Sequence, residues 1–241
     1  PQARAQTIAA VDTYRPRDRA GADGARDEGV AVESGARGGF GAAVAAGRQG
    51  LDVCLVEAGS KIGGVMAFCP GMPWGGAFPC DVIIGGLIEE LFGRLAAMDP
   101  PAAEKRPCTL ENFGPEILYD PDMAQITMFE MLEEAGVRVR LSTIALAPAM
   151  ADQRIAAVAC CDRHGAFDLR PRMVIDCSGD GDISAKAGVP YDLGDAGGKM
   201  MGVTLSFLMV NASWEEVFAE GDPYFQRFAE RGVAEGRLHP D

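Results

Sequence analysis

The stretch from Gly29 to Glu57 constrains this chain more than any other. Gly29-Val30-Ala31-Val32-Glu33 reads as a short strand, and Ser34 to Gly39 as a glycine-rich turn. Phe40, Ala43, Val44 and Gly47 then recur at helical spacing through a run of small residues ending near Gly50. Leu51-Asp52-Val53-Cys54-Leu55-Val56-Glu57 follows as a second strand, mostly apolar, as a parallel strand covered on both faces must be. Strand, turn, helix and strand make a βαβ unit of about the ~30 residues such units occupy. A parallel pair needs a crossover, so this unit commits the chain to a parallel sheet with helices packed on it.

Composition narrows what such a sheet can serve. At 241 residues the chain is one large domain or one and a half. With 48% hydrophobic residues it can bury a sizeable core and is too apolar to be disordered in bulk. The net charge of −13 argues against a nucleic-acid binder, which needs Lys and Arg to neutralise phosphates, and against docking on an anionic membrane. No apolar run approaches the ~20 residues of a membrane helix. Thr7-Ile8-Ala9-Ala10-Val11 is too short for the core of a signal peptide. The cysteines are odd in number, irregularly spaced and without a C-x-x-C, which disfavours a disulfide framework or zinc ribbon and predicts a reducing, cytoplasmic compartment. His164 and His239 leave little material for a histidine metal site or a Ser-His-Asp triad.

Other segments fall into place around the βαβ unit. Residues 1–28 are rich in Ala, Arg, Asp and Gly without a period and read as an unstructured tail. The long loop over 58–80, with Gly63-Gly64 and Pro73-Trp74-Gly75-Gly76, has the length of a functional loop. Leu87, Ile88, Leu91, Leu95 and Met98 predict a helix over 86–98, and 99–119 reads as irregular. Asp120 as N-cap and Pro121 at the first position start a helix that ends at Gly136. Val137 to Leu141 is a strand. Ile144–Met150, Ile155–Cys161 and Ala166–Arg170 predict an antiparallel meander with turns at Asp152-Gln153 and Arg163-His164-Gly165. Arg172 to Cys177 returns as a buried strand in the same sheet as Leu51–Glu57 and Val137–Leu141. Met201–Val210 reads as a long strand and 213–235 as mostly helical. Met200, Met201 and Met209 are expected in the core, His164 in a turn, and Cys160 and Cys161 on opposite faces of a strand. Cys69 and Cys80, flanking Trp74, read better as buried or incidental thiols than as a redox pair. The fold class is α/β, a three-layer domain with an antiparallel β-meander.

Three stretches carry chemistry. In Ser34-Gly35-Ala36-Arg37-Gly38-Gly39, a glycine turn at a helix N-terminus lets a pyrophosphate approach the backbone. Glu57, at the end of the next strand, is placed to accept from ribose hydroxyls. In register with Glu57, the G-x-G-x-x-G fingerprint falls on Ser34, Ala36 and Gly39, so only its third glycine stands and the first two positions carry a Cβ. The register Ala36, Gly38 and Gly41 leaves the acid too near. A glycine-rich turn of any α/β protein is the plain alternative. The second stretch, Glu57 to Gly64, ends a strand in an acid and continues into Gly63-Gly64, against the alternative of a flexible loop. The third, Val174 to Asp182, delivers small residues to the carboxyl end of a strand, where open α/β sheets bind ligands. The plain alternatives for its acids are an Asp-rich helix cap or a calcium loop, but Asp176, Asp180 and Asp182 lack the EF-hand order and its closing Glu.

Together these stretches resemble the FAD-dependent oxidoreductases of the two-dinucleotide-binding-fold type. The similar branch has a V-V-G-G-G-x-A-G start, an L-V-E strand end, a G-G loop and a D-A-T-G-D-G-D signature. Here these stand as Val32 to Gly39, Leu55-Val56-Glu57, Gly63-Gly64 and Asp176-Cys177-Ser178-Gly179-Asp180-Gly181-Asp182. Asp120 through Val137 and the meander are similar as well, and the resemblance covers roughly 29 to 210. It implies an FAD/NAD(P)-binding Rossmann-like domain over 29–190 and the incomplete beginning of a substrate domain over 191–241, since members of that family are much longer. It implies non-covalently bound FAD, with Ser34, Gly35, Ala36, Gly38 and Gly39 around the pyrophosphate and Glu57 on the adenosine ribose. Gly63 and Gly64 would lie along the phosphate and ribityl region, and Cys177, Ser178 and Gly179 would close the pocket. Asp182 would reach the ribityl chain or the pyrophosphate. The implied activity is hydride or electron transfer through the flavin, with a small-molecule substrate or an electron donor as partner. No catalytic residue stands out, and oligomerisation is left open.

Two other readings stand beside it. An NAD(P)-binding α/β dehydrogenase shares the βαβ unit but leaves the meander and Asp176–Asp182 unexplained. A truncated flavoprotein remnant would fold without turning over. A yellow protein favours the flavoenzyme, a colourless one that binds NADH the dehydrogenase, and a colourless ligand-free one the remnant. The poor fit before Gly38 beside a well-fitting helix also allows a reading-frame error upstream. That predicts a first strand poorly formed or absent and residues 1–28 packed on nothing, and the other two frames of the coding DNA test it.

Overall fold

A computed structural model describes residues 7–12, 25–27, 30–33, 37–69, 74, 85–107, 115–200, 202, 210–219, 221 and 225–238. The chain opens with β1 (Thr7–Asp12), β2 (Ala25–Asp27) and β3 (Val30–Glu33). Helix α1 (Arg37–Arg48) leads into β4 (Asp52–Glu57), followed by α2 (Val65–Phe68) and α3 (Leu87–Ala96). Strands β5 (Ala103–Pro107) and β6 (Pro115–Tyr119) pair antiparallel before α4 (Pro121–Glu134) and β7 (Arg138–Arg140). Then come β8 (Ile144–Ala151), β9 (Arg154–Asp162), β10 (Gly165–Arg170), β11 (Met173–Asp176) and α5 (Asp182–Lys186).

The expected parallel strands share one sheet, although β11, expected to be buried, is only half-buried, with Met173 exposed. β4 runs parallel to β3 and β7, and β11 runs parallel to β3. Every residue from Val53 to Glu57 is fully buried. Successive side chains of a strand point to opposite faces, so both faces of β4 are covered. Helix α1 packs on β4, and β8 of the meander also reaches β4. Phe40, Ala43 and Val44 from α1 join Ala145, Val158 and Cys160 from the meander in one core. The small-residue character of α1 has a reason at Gly47, where a Cβ would fall on the carbonyl oxygen of Ala135 at the end of α4. Only a glycine lets the two helices meet this closely.

Local signals hold where they depend on few residues. Asp120 Oδ1 accepts from Asp122 N at 2.9 Å and Met123 N at 3.0 Å, capping α4 beside Pro121. Gly136, with φ 70°, follows its last turn. Asp152 and Gln153 both take positive φ and close a two-residue hairpin between β8 and β9. Cys160 is buried and Cys161 only partly so, as opposite faces require.

Several expectations are corrected. The 1–28 tail contains strands: β1 pairs antiparallel with β4 from Thr7↔Glu57 to Asp12↔Asp52 and with β11 from Ile8↔Asp176 to Ala10↔Val174, while β2 pairs with β10. A five-residue apolar run is too short for a membrane or leader but long enough to match β4, and ladder pairing on both sides holds it there. With β3 also formed, neither structural corollary of a shifted frame is met. The irregular stretch over 99–119 contains the β5–β6 pair, and Ile117 of β6 also bridges to Trp74. Its charged sequence at Glu104-Lys105-Arg106 gives no strand period, and pairing rests on the buried Ala103 and Ile117 at its inner side. Met200 is exposed rather than in the core, while Met201, Met209, Cys80 and most of the expected Met201–Val210 strand lie outside the described residues.

Residues Leu205–Asp241 form a second compact unit with α6 (Trp214–Ala219) and α7 (Gln226–Ala234). Ser213 Oγ accepts from Glu216 N at the start of α6, and Gly232 of α7 is buried against Leu238.

Candidate cofactor site

The carboxyl ends of β3 and β4 lie side by side, since Glu33 pairs with Val56. Glu57 closes β4 as a fully buried carboxylate at the end of an apolar strand. Its Oε1 accepts from Gly59 N at 2.7 Å, and its carbonyl accepts from Thr143 N at 3.0 Å. Ser142 N donates to Gly59 O at 2.9 Å, so the chain leaving β4 is tied at two points to the segment entering the meander.

Helix α1 starts at the same edge. Gly39 is buried and Gly38 exposed, and a Cβ on Gly38 would stand 3.8 Å from Cys177 Sγ at the end of β11. The first turn of a helix leaves N–H groups without intrahelical acceptors and favours negative charge. Ser34, Gly35 and Ala36 lie outside the described residues.

After Glu57 the loop runs to Gly63 and Gly64, both buried, with φ 94° and 55°. These are left-handed values that cost a side-chain-bearing residue and cost glycine little. Gly64 O accepts from Ala67 N and Phe68 N, so the short α2, which sequence reading missed, is built on this turn. Tyr119 Oη donates to Met66 O at 3.0 Å, and the Tyr119 ring lies 4.6 Å from that of the buried Trp74. Two side chains of α4 reach the same loop: Lys61 Nζ meets Asp122 Oδ1 at 2.9 Å, and the amide of Gln125 holds the backbone of Ile62.

The third stretch is a clasp. Asp176 Oδ1 accepts from Ser178 N at 3.1 Å and Ser178 Oγ at 2.7 Å, and its Oδ2 accepts from Ser184 N at 2.8 Å. Burial pushes the Asp176 carboxyl up, but these hydrogen bonds outweigh it and hold the group below the ordinary carboxylate range. Ser178 Oγ in turn accepts from Gly181 N at 2.8 Å and Asp182 N at 3.2 Å. The Ser178 hydroxyl therefore joins β11 to α5 from within. Gly179 is exposed, with φ 85°, and Asp182 is the first residue of α5. Gln125 is the residue that motif reading passed over, since it looked like a stray polar residue on an apolar face. Among the described residues no group of His, Cys, Asp and Glu could hold a metal ion, and no helix is long and apolar enough to cross a membrane.

The family model described as FAD dependent oxidoreductase matches residues 29–237. The chain belongs to this family. The family is described by its dependence on FAD and by oxidoreductase chemistry. Among solved structures, the chain is similar to a myxobacterial chondrochloren halogenase, a variant of FAD-dependent halogenases, at 16% identity and TM-score 0.39. That match covers 58% of this chain and 34% of the halogenase. A geranylgeranyl bacteriochlorophyll reductase-like protein from Thermoplasma acidophilum matches at 16% identity and TM-score 0.39, over 58% of this chain and 36% of that one. The 3-ketosteroid-Δ4-(5α)-dehydrogenase of Rhodococcus jostii matches at 16% identity and TM-score 0.38, over 58% and 43%. The matched region thus spans less than half the length of each of these structures. No curated protein matches the chain.

Proposed function

We propose that this FAD-dependent oxidoreductase family member binds FAD non-covalently along the carboxyl edge of β3, β4 and β11. In this reading it passes hydride or electrons between the flavin and a small-molecule substrate or electron donor. The observation that carries this is Glu57: a buried carboxylate at the end of a central strand, on the edge where the glycine start of α1 meets Cys177. The residues fit the cofactor. Glu57 supplies the kind of acceptor a ribose diol needs, and Gly38 stands at the start of α1 beside Cys177, where a phosphate would meet the first N–H groups of the helix. Ser34, Gly35, Ala36, Gly38 and Gly39 hold the pyrophosphate. Gly63 and Gly64 line the phosphate and ribityl region, Cys177, Ser178 and Gly179 close the pocket, and Asp182 reaches the ribityl chain or pyrophosphate.

Bound FAD supplies the redox chemistry, and these residues bind and orient it. Residues 29–190 are then the FAD-binding domain, and 191–241 belong to a substrate domain. A cytoplasmic location agrees with the cysteine pattern. The test is the visible spectrum of the purified chain before and after incubation with FAD and desalting. Flavin absorption that stays with the protein is the expected result, and a protein that returns colourless from saturating FAD sinks the reading.

A further inference from the structure

Helix α4 touches three consecutive residues of the loop that follows Glu57, one on each successive turn. Asp122 meets Lys61, Gln125 meets Ile62, and Met128 faces Gly63. A spacing of three keeps these side chains on one helix face and advances ~4.5 Å per step. Successive residues of the loop thus meet successive turns of the helix.

The central contact differs from its neighbours. Gln125 Oε1 accepts from Ile62 N at 3.0 Å, and Gln125 Nε2 donates to Ile62 O at 2.5 Å. A primary amide offers an acceptor and donors on one plane, so a single side chain completes both backbone groups, as an adjacent strand would. Ile62 is 0% exposed and Gln125 8%, so these groups have no easy exchange with water. The Lys61–Asp122 pair is solvated, with Asp122 80% exposed, and such pairs contribute little. On the other side of the turn, a Cβ at Gly63 would meet Met128 Cε at 3.1 Å. The amide of Gln125 and the Met128 side chain therefore set the path of the backbone into Gly63 and Gly64.

We propose that α4 is the template of the cofactor loop, and that Gln125 is its positioning residue, holding the Gly63-Gly64 backbone in the shape that receives the phosphate and ribityl part of FAD. This rests on the FAD reading given above. A loop already held in its binding conformation does not lose that freedom when the ligand arrives, which raises affinity without a new contact.

The test uses the full chain with Gln125→Met, which keeps length and removes both hydrogen bonds, and Gln125→Glu, which keeps the acceptor for Ile62 N and loses the donor. Calorimetric titration with FAD and with AMP is compared, since AMP presents the adenosine part to Glu57 without a ribityl chain. Gln125→Met is expected to weaken FAD binding about tenfold, the scale of one buried hydrogen bond, and Gln125→Glu at least as much, because its second oxygen faces the Ile62 carbonyl. AMP affinity should stay within about twofold of the parent for both. A purely structural role would lower the melting temperature and either spare FAD or weaken FAD and AMP alike, and either result overturns the proposal. If Gln125→Met does not fold, Gln125→Glu carries the same comparison. Amide hydrogen exchange on the ligand-free chain gives a readout independent of the cofactor. Exchange at 62–64 should quicken in the variants while that of β4 stays unchanged, and unaltered exchange at 62–64 overturns the template role even if FAD binds elsewhere. A parent chain that binds no FAD, or a Glu57→Ala chain that binds it normally, counts instead against the cofactor site itself.

Discussion

Replacing Glu90 with Gln should destabilise the protein at neutral pH and leave it unchanged near pH 2. Glu90 on α3 accepts from both terminal guanidinium nitrogens of Arg48 from α1 at 2.7 Å, and from Arg94 Nη2 of the next turn at 2.8 Å. Arg94 grips Glu134 of α4 with two further bonds at 2.7 and 2.6 Å. Four side chains thus tie three helices into a ladder. The Arg48 guanidinium is the main force holding the Glu90 carboxyl down. Burial pushes the other way and Arg94 adds to the depression, leaving it at about 2 against an ordinary 4.5. A carboxyl depressed by folding stabilises the fold above its unfolded value, and the gain is lost as pH falls from about 4.5 to about 2.

At ~1.36 kcal/mol per pH unit, a depression of this size corresponds to a few kcal/mol for a group shielded from solvent. Glu90 and Arg94 are each 31% exposed and Arg48 38%, so solvent screens the ladder and ~1–1.5 kcal/mol is the realistic contribution. For a chain of this size, each kcal/mol moves the melting temperature by about 2–4 °C, which puts Glu90→Gln about 2–6 °C below the parent at pH 7. Thermal unfolding followed by circular dichroism from pH 7 to about pH 2, in low and ~1 M salt, reads the difference directly. It should shrink through the acid range and in high salt. Equal melting temperatures at pH 7, or a gap that persists undiminished at pH 2, would refute the electrostatic account.

Other outcomes follow from single contacts. Glu57→Ala removes a charge-assisted acceptor worth ~1.5–3 kcal/mol, so FAD affinity should fall about tenfold or more, and an unchanged dissociation constant would place the ribose elsewhere. Asp120→Ala strips α4 of its cap on Asp122 N and Met123 N and should cost ~1 kcal/mol in denaturant unfolding, with no loss if the cap is replaced by water. Gly47→Ala drives a Cβ onto the Ala135 carbonyl, and a loss of ~1–3 kcal/mol in the same assay is expected; a neutral result would mean that α1 and α4 do not meet this closely.

Much of this protein was legible before any tertiary contact was known, wherever a feature depends on neighbours in sequence. Val53 to Glu57 is apolar up to a terminal acid, and a strand with both faces covered can only deliver that acid to the sheet edge, so Glu57 stood out as a site residue. Asp120 beside Pro121, and Asp152-Gln153 between two strands, act through bonds that close within a few residues, and the chain folded there as read. The same holds for the alternation that separates Cys160 from Cys161.

What only the tertiary structure decided are pairings between distant segments. Gln125 and Ile62 are 63 residues apart, and nothing in the period of α4 says that its one buried amide faces a backbone needing both a donor and an acceptor. Arg48 and Glu90 are 42 apart, and any exposed pair of those types looks alike in a sequence. β1 looked like part of a tail because a five-residue apolar run has no fate of its own; β4 and β11 supply the two ladders that make it a strand. β5 and β6 show no usable alternation, and the buried Ala103 and Ile117 decide their pairing. A sequence records which positions avoid water and where the backbone can turn. It does not record which of many buried polar groups will meet, because that depends on how the packed elements approach, and a hydrogen bond is made or lost within about half an ångström.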